Sequence, residues 1–246
     1  MKLARLPDGS PEVFRTLQGE GPSMGCPAVF LRLSLCNLHC VWCDTPFTWN
    51  WEGTPWPHLD KRKFSKSDYI VEQTPAELTA TLESASRPGD RLVITGGEPL
   101  LQQGELSALV TLLSPNFSAI EIETNGTQLP IPALDSHIAQ YNVSPKLANS
   151  QNAPELRIQE KAMKFFATCE RAFFKFVVVS QSDLKEVEEL QQRFEIPASR
   201  ILLMPEGRSA EALAKSRSWL AQECLDHGYR LTDRLHVQLW GDERAK

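Results

Sequence analysis

Leu33-Ser34-Leu35-Cys36-Asn37-Leu38-His39-Cys40-Val41-Trp42-Cys43-Asp44-Thr45 is the stretch on which the reading of this chain turns. Three cysteines follow an apolar, strand-like run at C-x3-C-x2-C spacing. Three thiolates this close form a compact soft-ligand face, suited to zinc or to an iron–sulfur cluster. A closed structural zinc site takes four ligands, usually as two short pairs. The other cysteines, Cys26, Cys169 and Cys224, lie singly and make no second pair. His39 offers a fourth zinc ligand, but its place inside the triplet, next to Cys40, gives poor geometry. On a four-iron cluster, three cysteines leave one iron open to another ligand.

Working outward, Ala28 to Leu35 reads as a largely buried strand interrupted by Arg32. Arg32 either turns to solvent or pairs with a carboxylate, or it points into a site where a guanidinium grips a carboxylate bidentately. Upstream, Leu17-Gln18-Gly19-Glu20-Gly21-Pro22 is turn chemistry, or a loop whose glycines admit a ligand while Gln18 and Glu20 supply hydrogen bonds. Downstream, Phe47 to Lys66 is rich in tryptophan and proline and has no clean period. It reads as an excursion that packs over the cysteine loop or edges a subunit contact.

The remainder alternates strand and helix. Thr74-Pro75-Ala76-Glu77 is a capping box with proline at the first helical position, and its helix runs to about Ser86. Arg91 to Thr95 is a strand feeding Gly96-Gly97-Glu98-Pro99, where two glycines permit close backbone approach and Glu98 offers a carboxylate. A helix from about Gly104 to Leu113 follows. Ala119 to Glu123 is a strand, and Glu123 or Asn125 beyond it either reaches a ligand or satisfies loop backbone. A fourth strand ends at Ser144-Pro145-Lys146. Ala172 to Val179 is the most β-prone run; a helix follows over Ser182 to Phe194, with Ser182 as N-cap. Ile201 to Met204 is a strand ending at Pro205-Glu206-Gly207. Ser209 to His227 is a long helix closed by Gly228, and Leu235 to Leu239 reads as the last strand. Repeated βα units with short turns predict an α/β domain on a mostly parallel sheet of six to seven strands, with loops at one sheet edge carrying the chemistry.

Composition excludes several classes. A formal net charge of -5 argues against wrapping nucleic acid. No run of eighteen apolar residues predicts a membrane span. The N-terminal stretch lacks the apolar core of a signal peptide. Six cysteines in 246 residues do not suggest a disulfide framework, and clustered thiolates suit a reducing cytoplasm.

The cysteine spacing resembles the cluster loop of the radical S-adenosylmethionine (SAM) superfamily, and Gly96-Gly97-Glu98-Pro99 resembles its second signature. The resemblance implies that Cys36, Cys40 and Cys43 hold a 4Fe-4S cluster whose fourth iron is chelated by SAM. It implies an open partial (β/α) barrel, here one domain over 1–246 with an inserted segment at about 46–72. The Leu17–Gly21 loop, the Cys43-Asp44-Thr45 closure and the short chain further resemble the 7-carboxy-7-deazaguanine synthase family, enzymes of queuosine biosynthesis, a tRNA-modification pathway. The implied reaction converts 6-carboxy-5,6,7,8-tetrahydropterin to 7-carboxy-7-deazaguanine with loss of ammonia, SAM being regenerated.

That resemblance implies roles by residue. Trp42, Cys43, Asp44, Gly97, Glu98, Ser144, Pro145, Lys146, Met204, Pro205, Glu206 and Gly207 would meet SAM. Leu17, Gln18, Gly19, Glu20, Arg32 and Thr95 would line the pterin, with Arg32 on its carboxylate. Thr45 would hold a Mg²⁺ at the substrate, bound with it and not before it. A reducing partner such as flavodoxin or ferredoxin and a homodimer are also implied. Two other readings stand beside it: an activating enzyme for a glycyl-radical protein, and a zinc-binding module built from the three cysteines and His39.

Overall fold

The computed structural model describes residues 1–113 and 116–246. Its strands are Lys2–Ala4 (β1), Val13–Leu17 (β2), Pro27–Leu33 (β3), Ile70–Glu72 (β4), Arg91–Gly96 (β5), Ala119–Thr124 (β6), Gln140–Val143 (β7), Ala172–Val178 (β8), Ile201–Pro205 (β9) and Arg230–Leu231 (β10). They form one sheet in the order β10-β9-β8-β7-β6-β5-β3-β1-β4, with β2 on β3. Every neighbouring pair from β3 to β10 is parallel. β1 and β2 pair antiparallel to β3, and β4 antiparallel to β1. The two end strands do not pair with each other among the described residues, so the α/β barrel is open. The parallel run meets the expectation; the short antiparallel strands were not read, because three to five residues give little period to detect.

Alternation along the strands decides what faces what. One face carries Val29, Leu31, Leu33, Leu92, Ile94, Ile122, Tyr141, Val143, Phe174 and Phe176, all fully buried in the main core. Helices cover that face through Leu78, Leu82, Leu106, Leu109, Met163, Phe166, Val187 and Leu220. The other face of the same strands carries Arg32, Thr95, Glu123, Asn142 and Lys175. Register sets Arg32 opposite Thr95 and Glu123 opposite Asn142. An apolar face toward the helices and a polar row inside is what a partial barrel with an internal site requires.

Helix signals mostly hold. The Thr74 hydroxyl and Glu77 form the capping box of Pro75–Ala85, and Ser209 caps Ala210–His227, which ends at Gly228 with φ +68°. Two readings are corrected. Ser182 precedes the helix Asp183–Phe194 but makes no capping bond; the Asp183 carboxylate instead accepts the backbone N–H groups of Val179 and Ser180 at 2.8 and 3.0 Å. Leu235 to Leu239 is not a strand: Leu235–Trp240 is a short helix. The sheet edge is already occupied by β10, and the Leu235 N–H bonds the Gly19 carbonyl at 2.9 Å. Apolar residues two apart do not separate strand from helix over so short a run.

Candidate active site

The end of β3 launches the cysteine loop through Leu35, a non-glycine residue at φ +78°. Such a conformation is costly for a branched side chain and needs surrounding support. Thr48 supplies it from one side, accepting the Leu35 N–H at 2.9 Å, while Leu35 O takes the Glu98 N–H at 2.8 Å. The glycine pair after β5 exists for this contact. A Cβ on Gly97 would lie 2.0 Å from Leu35 O, and one on Gly96 would lie 2.1 Å from Leu33 O. The glycines thus let two loop backbones touch each other, and both also line the cavity.

Glu98 is likewise structural. It is fully buried, and its carboxylate accepts Leu100 N–H, Asn125 N–H and the Thr124 hydroxyl at 3.0, 2.7 and 2.8 Å. Burial raises its pKa against these bonds. It ties the β5 loop to the β6 loop and does not line the cavity, and neither does Pro145.

The other residues to which the resemblance assigns a role converge on one cavity: Leu17, Gln18, Gly19, Glu20, Arg32, Cys36, Cys40, Trp42, Cys43, Asp44, Thr45, Thr95, Gly97, Ser144, Lys146 and Met204 through Gly207.

On the cysteine side the thiols are buried. Burial raises Cys36 and Cys43 and pushes Cys40 up to about 11. Neutral thiols are therefore the stable form until a cationic centre compensates three thiolates. Asn152 donates to Cys40 Sγ at 3.3 Å and accepts the His39 N–H at 2.8 Å. Among the described residues no three His, Cys, Asp or Glu side chains converge on a single-ion position. The His39 ring stacks on Trp56, with centroids 3.9 Å apart, and is not aimed as a fourth ligand. With His39 stacked on Trp56, the three cysteines stand without a fourth histidine ligand, a set that suits a multinuclear cluster.

On the opposite side charges pair with one another. Lys175 donates to Glu20 Oε2. Arg234 Nε donates to Glu20 Oε1 at 3.1 Å, Nη1 to Gly207 O at 2.8 Å, and Nη2 to Asp44. Burial alone would raise Glu20, but Lys175 and Arg234 outweigh it and hold the carboxyl well below its usual range. Asp44 is lowered in the same way, burial being outweighed by Arg234. His236 lies among them with its pKa lowered, chiefly by burial. Gly19 must be glycine, since a Cβ there would lie 2.1 Å from His236 Nδ1.

Arg32 combines both of its sequence readings. Its Nε donates to the fully buried Glu12 at 2.7 Å, and the residue still lines the cavity. Glu12 is shared with Arg244, which donates from Nε at 2.8 Å and from Nη2 at 2.5 Å. Glu123 accepts the Gln18 amide at 3.1 Å and the Thr95 hydroxyl at 2.8 Å. Sequence reasoning missed Asn142, Lys175, Arg234 and His236. For Lys175 the signal was a lone polar residue in an otherwise apolar strand, and for Asn142 the alternation of Gln140 and Asn142 with Tyr141 and Val143. Arg234 and His236 were hidden by the mistaken last strand.

Radical SAM superfamily is the family description that matches, over residues 32–172. A 7-carboxy-7-deazaguanine synthase of Pyrobaculum aerophilum is 35% identical over 96% of this chain and 96% of that protein. One of Rhodopirellula baltica is 34% identical over 95% and 87%. The crystal structure of QueE from Escherichia coli superposes with a TM-score of 0.67 at 29% identity, covering 96% and 95%. Fold and cysteine loop thus define a radical SAM enzyme, a class that implies a 4Fe-4S cluster and SAM. Within that superfamily the chain belongs to the 7-carboxy-7-deazaguanine synthase family. No helix among the described residues is long and apolar enough to cross a membrane.

Proposed function

We propose that this chain converts 6-carboxy-5,6,7,8-tetrahydropterin to 7-carboxy-7-deazaguanine with loss of ammonia, using SAM catalytically and assisted by Mg²⁺. The observation that carries the reading is one cavity bordered by the cysteine triplet on one side and by Arg32, Glu123 and Gln18 on the other. Cys36, Cys40 and Cys43 hold the cluster, which together with SAM supplies reductive cleavage and radical generation when bound. Trp42, Asp44, Gly97, Ser144, Lys146 and the Met204–Gly207 turn surround SAM.

The chain's own residues bind and orient the pterin. Arg32 is oriented by Glu12 through Nε, which leaves its Nη groups to grip the substrate carboxylate. Glu123, set by Gln18 and Thr95, presents a fixed acceptor to the ring's N–H groups. Leu17, Gly19 and the stacked pair Phe14–Phe30, with centroids 5.4 Å apart, cover the ring and exclude water. The Thr45 hydroxyl, 3.6 Å from Cys43 Sγ, would offer an oxygen to Mg²⁺ bound with the substrate. The chain works as one radical SAM domain with the 46–72 insertion, as a cytoplasmic homodimer that draws electrons from a small reducing protein such as flavodoxin or ferredoxin.

Incubating reconstituted protein with SAM, reductant, Mg²⁺ and the carboxy-tetrahydropterin tests the reading. The deazaguanine product appears by mass, and its rate rises with Mg²⁺ and falls in Thr45→Ala. SAM cleavage without a new product would defeat the substrate assignment.

A further inference from the structure

The insertion plays no part in the roles above, yet it grips the cysteine loop. His58 is 7% exposed, and its Nε2 lies 2.8 Å from the Cys43 carbonyl oxygen. A carbonyl only accepts, so Nε2 carries a proton and donates, and Nδ1 carries one as well when it bonds a carboxylate oxygen. Across the ring, Nδ1 lies 2.6 Å from Asp60 Oδ1, an oxygen that also accepts the Arg62 N–H at 2.9 Å. The next residue, Leu59, donates its backbone N–H to the Val41 carbonyl at 2.9 Å. Consecutive residues of the insertion thus hold two carbonyls of the Val41–Cys43 stretch. Trp49 packs edge-on against both His58 and His39, with centroids 6.1 and 5.1 Å away. From the other side, Ser150 O accepts the Val41 N–H at 3.2 Å, and Asn152 reaches Cys40 Sγ. The loop between the second and third cysteines is clamped from both sides.

We propose that His58 is a positioning residue for the cluster, fixing the Cys43 peptide and with it the direction of the third sulfur ligand. The proposal rests on the cluster assignment above. Asp60 orients the imidazole, as carboxylates commonly orient a histidine near a metal. A merely structural role for His58 would lower the unfolding temperature of iron-free protein and leave a loaded cluster as it is. A positioning role changes the cluster itself.

The test compares the full-length wild type, His58→Ala and His58→Gln after anaerobic loading with iron and sulfide. Iron per chain, the electron paramagnetic resonance spectrum of the reduced cluster, its midpoint potential and the rate of iron loss to a chelator are measured. Thermal unfolding of the iron-free proteins is followed alongside. His58→Ala loses iron about tenfold faster, with an altered spectrum and potential. His58→Gln, whose amide can donate to the same carbonyl, recovers most of the difference. A His58→Ala cluster with wild-type spectrum, potential and iron-loss rate overturns the proposal. Should His58→Ala not fold, Asp60→Asn decides instead: faster iron loss supports the clamp and a wild-type rate overturns it. Wild-type protein that takes up no iron would overturn the cluster assignment and this proposal together, which distinguishes the two failures.

Discussion

Around Cys36, Cys40 and Cys43, burial raises the thiols and keeps them neutral; elsewhere on the cavity wall Glu20, Lys175 and Arg234 are paired ions, and Arg234 also reaches Asp44 beside Cys43. The two sides of one cavity solve the problem of buried polar groups differently. Neutral thiols wait for a cationic core that makes their deprotonation favourable. Paired ions are already compensated, and their geometry is fixed before anything binds. The difference teaches that the cysteine side is defined by what it takes up. The ionic side is a wall of charges already paired with one another.

The comparison can be broken most severely on the cysteine side. Cys40→Ala removes a ligand that nothing nearby replaces, so iron content collapses and 5′-deoxyadenosine formation is abolished. An unchanged 5′-deoxyadenosine yield would defeat the ligand assignment. On the ionic side, Arg234→Gln removes the partner of Asp44 and one of the two cations on Glu20, which keeps Lys175. Lys175 still compensates Glu20 and Asp44 is partly exposed, so the cost is below the about 3–5 kcal/mol of a fully stranded buried charge, read as a lower denaturant midpoint of iron-free protein at neutral pH. A midpoint equal to wild type would show that these ions are not coupled.

Arg32→Ala sharpens the boundary between the two sides. It weakens pterin binding by about 2 kcal/mol or more and leaves SAM binding nearly intact, which titration of each ligand separately can show. Equal losses for both ligands would contradict the division.

The smallest effect is in pH. His236 has a lowered folded pKa, so the unfolded chain binds more protons below the ordinary value of 6.5 and stability falls as pH drops through that range. Glu20 and Asp44 are also lowered, and their contribution is present above their unfolded pKa values and lost at lower pH still. Stability curves for wild type and His236→Gln should therefore differ in slope near pH 6 and run parallel below it. Identical slopes throughout would remove His236 from the account.

Much of the cysteine side was legible because its chemistry is local. Cys36, Cys40 and Cys43 lie within one loop, and Gly96-Gly97 follows a strand whose apolar run is unambiguous. The ionic side was harder because its partners are distant in sequence: Glu20 meets Lys175 and Arg234 only after the sheet is assembled. Arg234 and His236 were further concealed by the apolar spacing of Leu235, Val237 and Leu239, which fits two periods equally well. Glu98 shows the reverse error. A carboxylate beside two glycines looks like a ligand contact, but its burial and three loop hydrogen bonds make it a strut. His58 carried no local signal, since nothing in an irregular segment shows that it folds back onto Cys43.

Electron paramagnetic resonance of the reduced, iron-loaded protein before and after adding SAM tests most directly whether three cysteines leave one iron for a co-substrate. The account predicts a 4Fe-4S signal that changes on SAM addition in wild type and is lost in Cys40→Ala. A colourless protein holding zinc, or a cluster whose spectrum SAM leaves untouched, would contradict it.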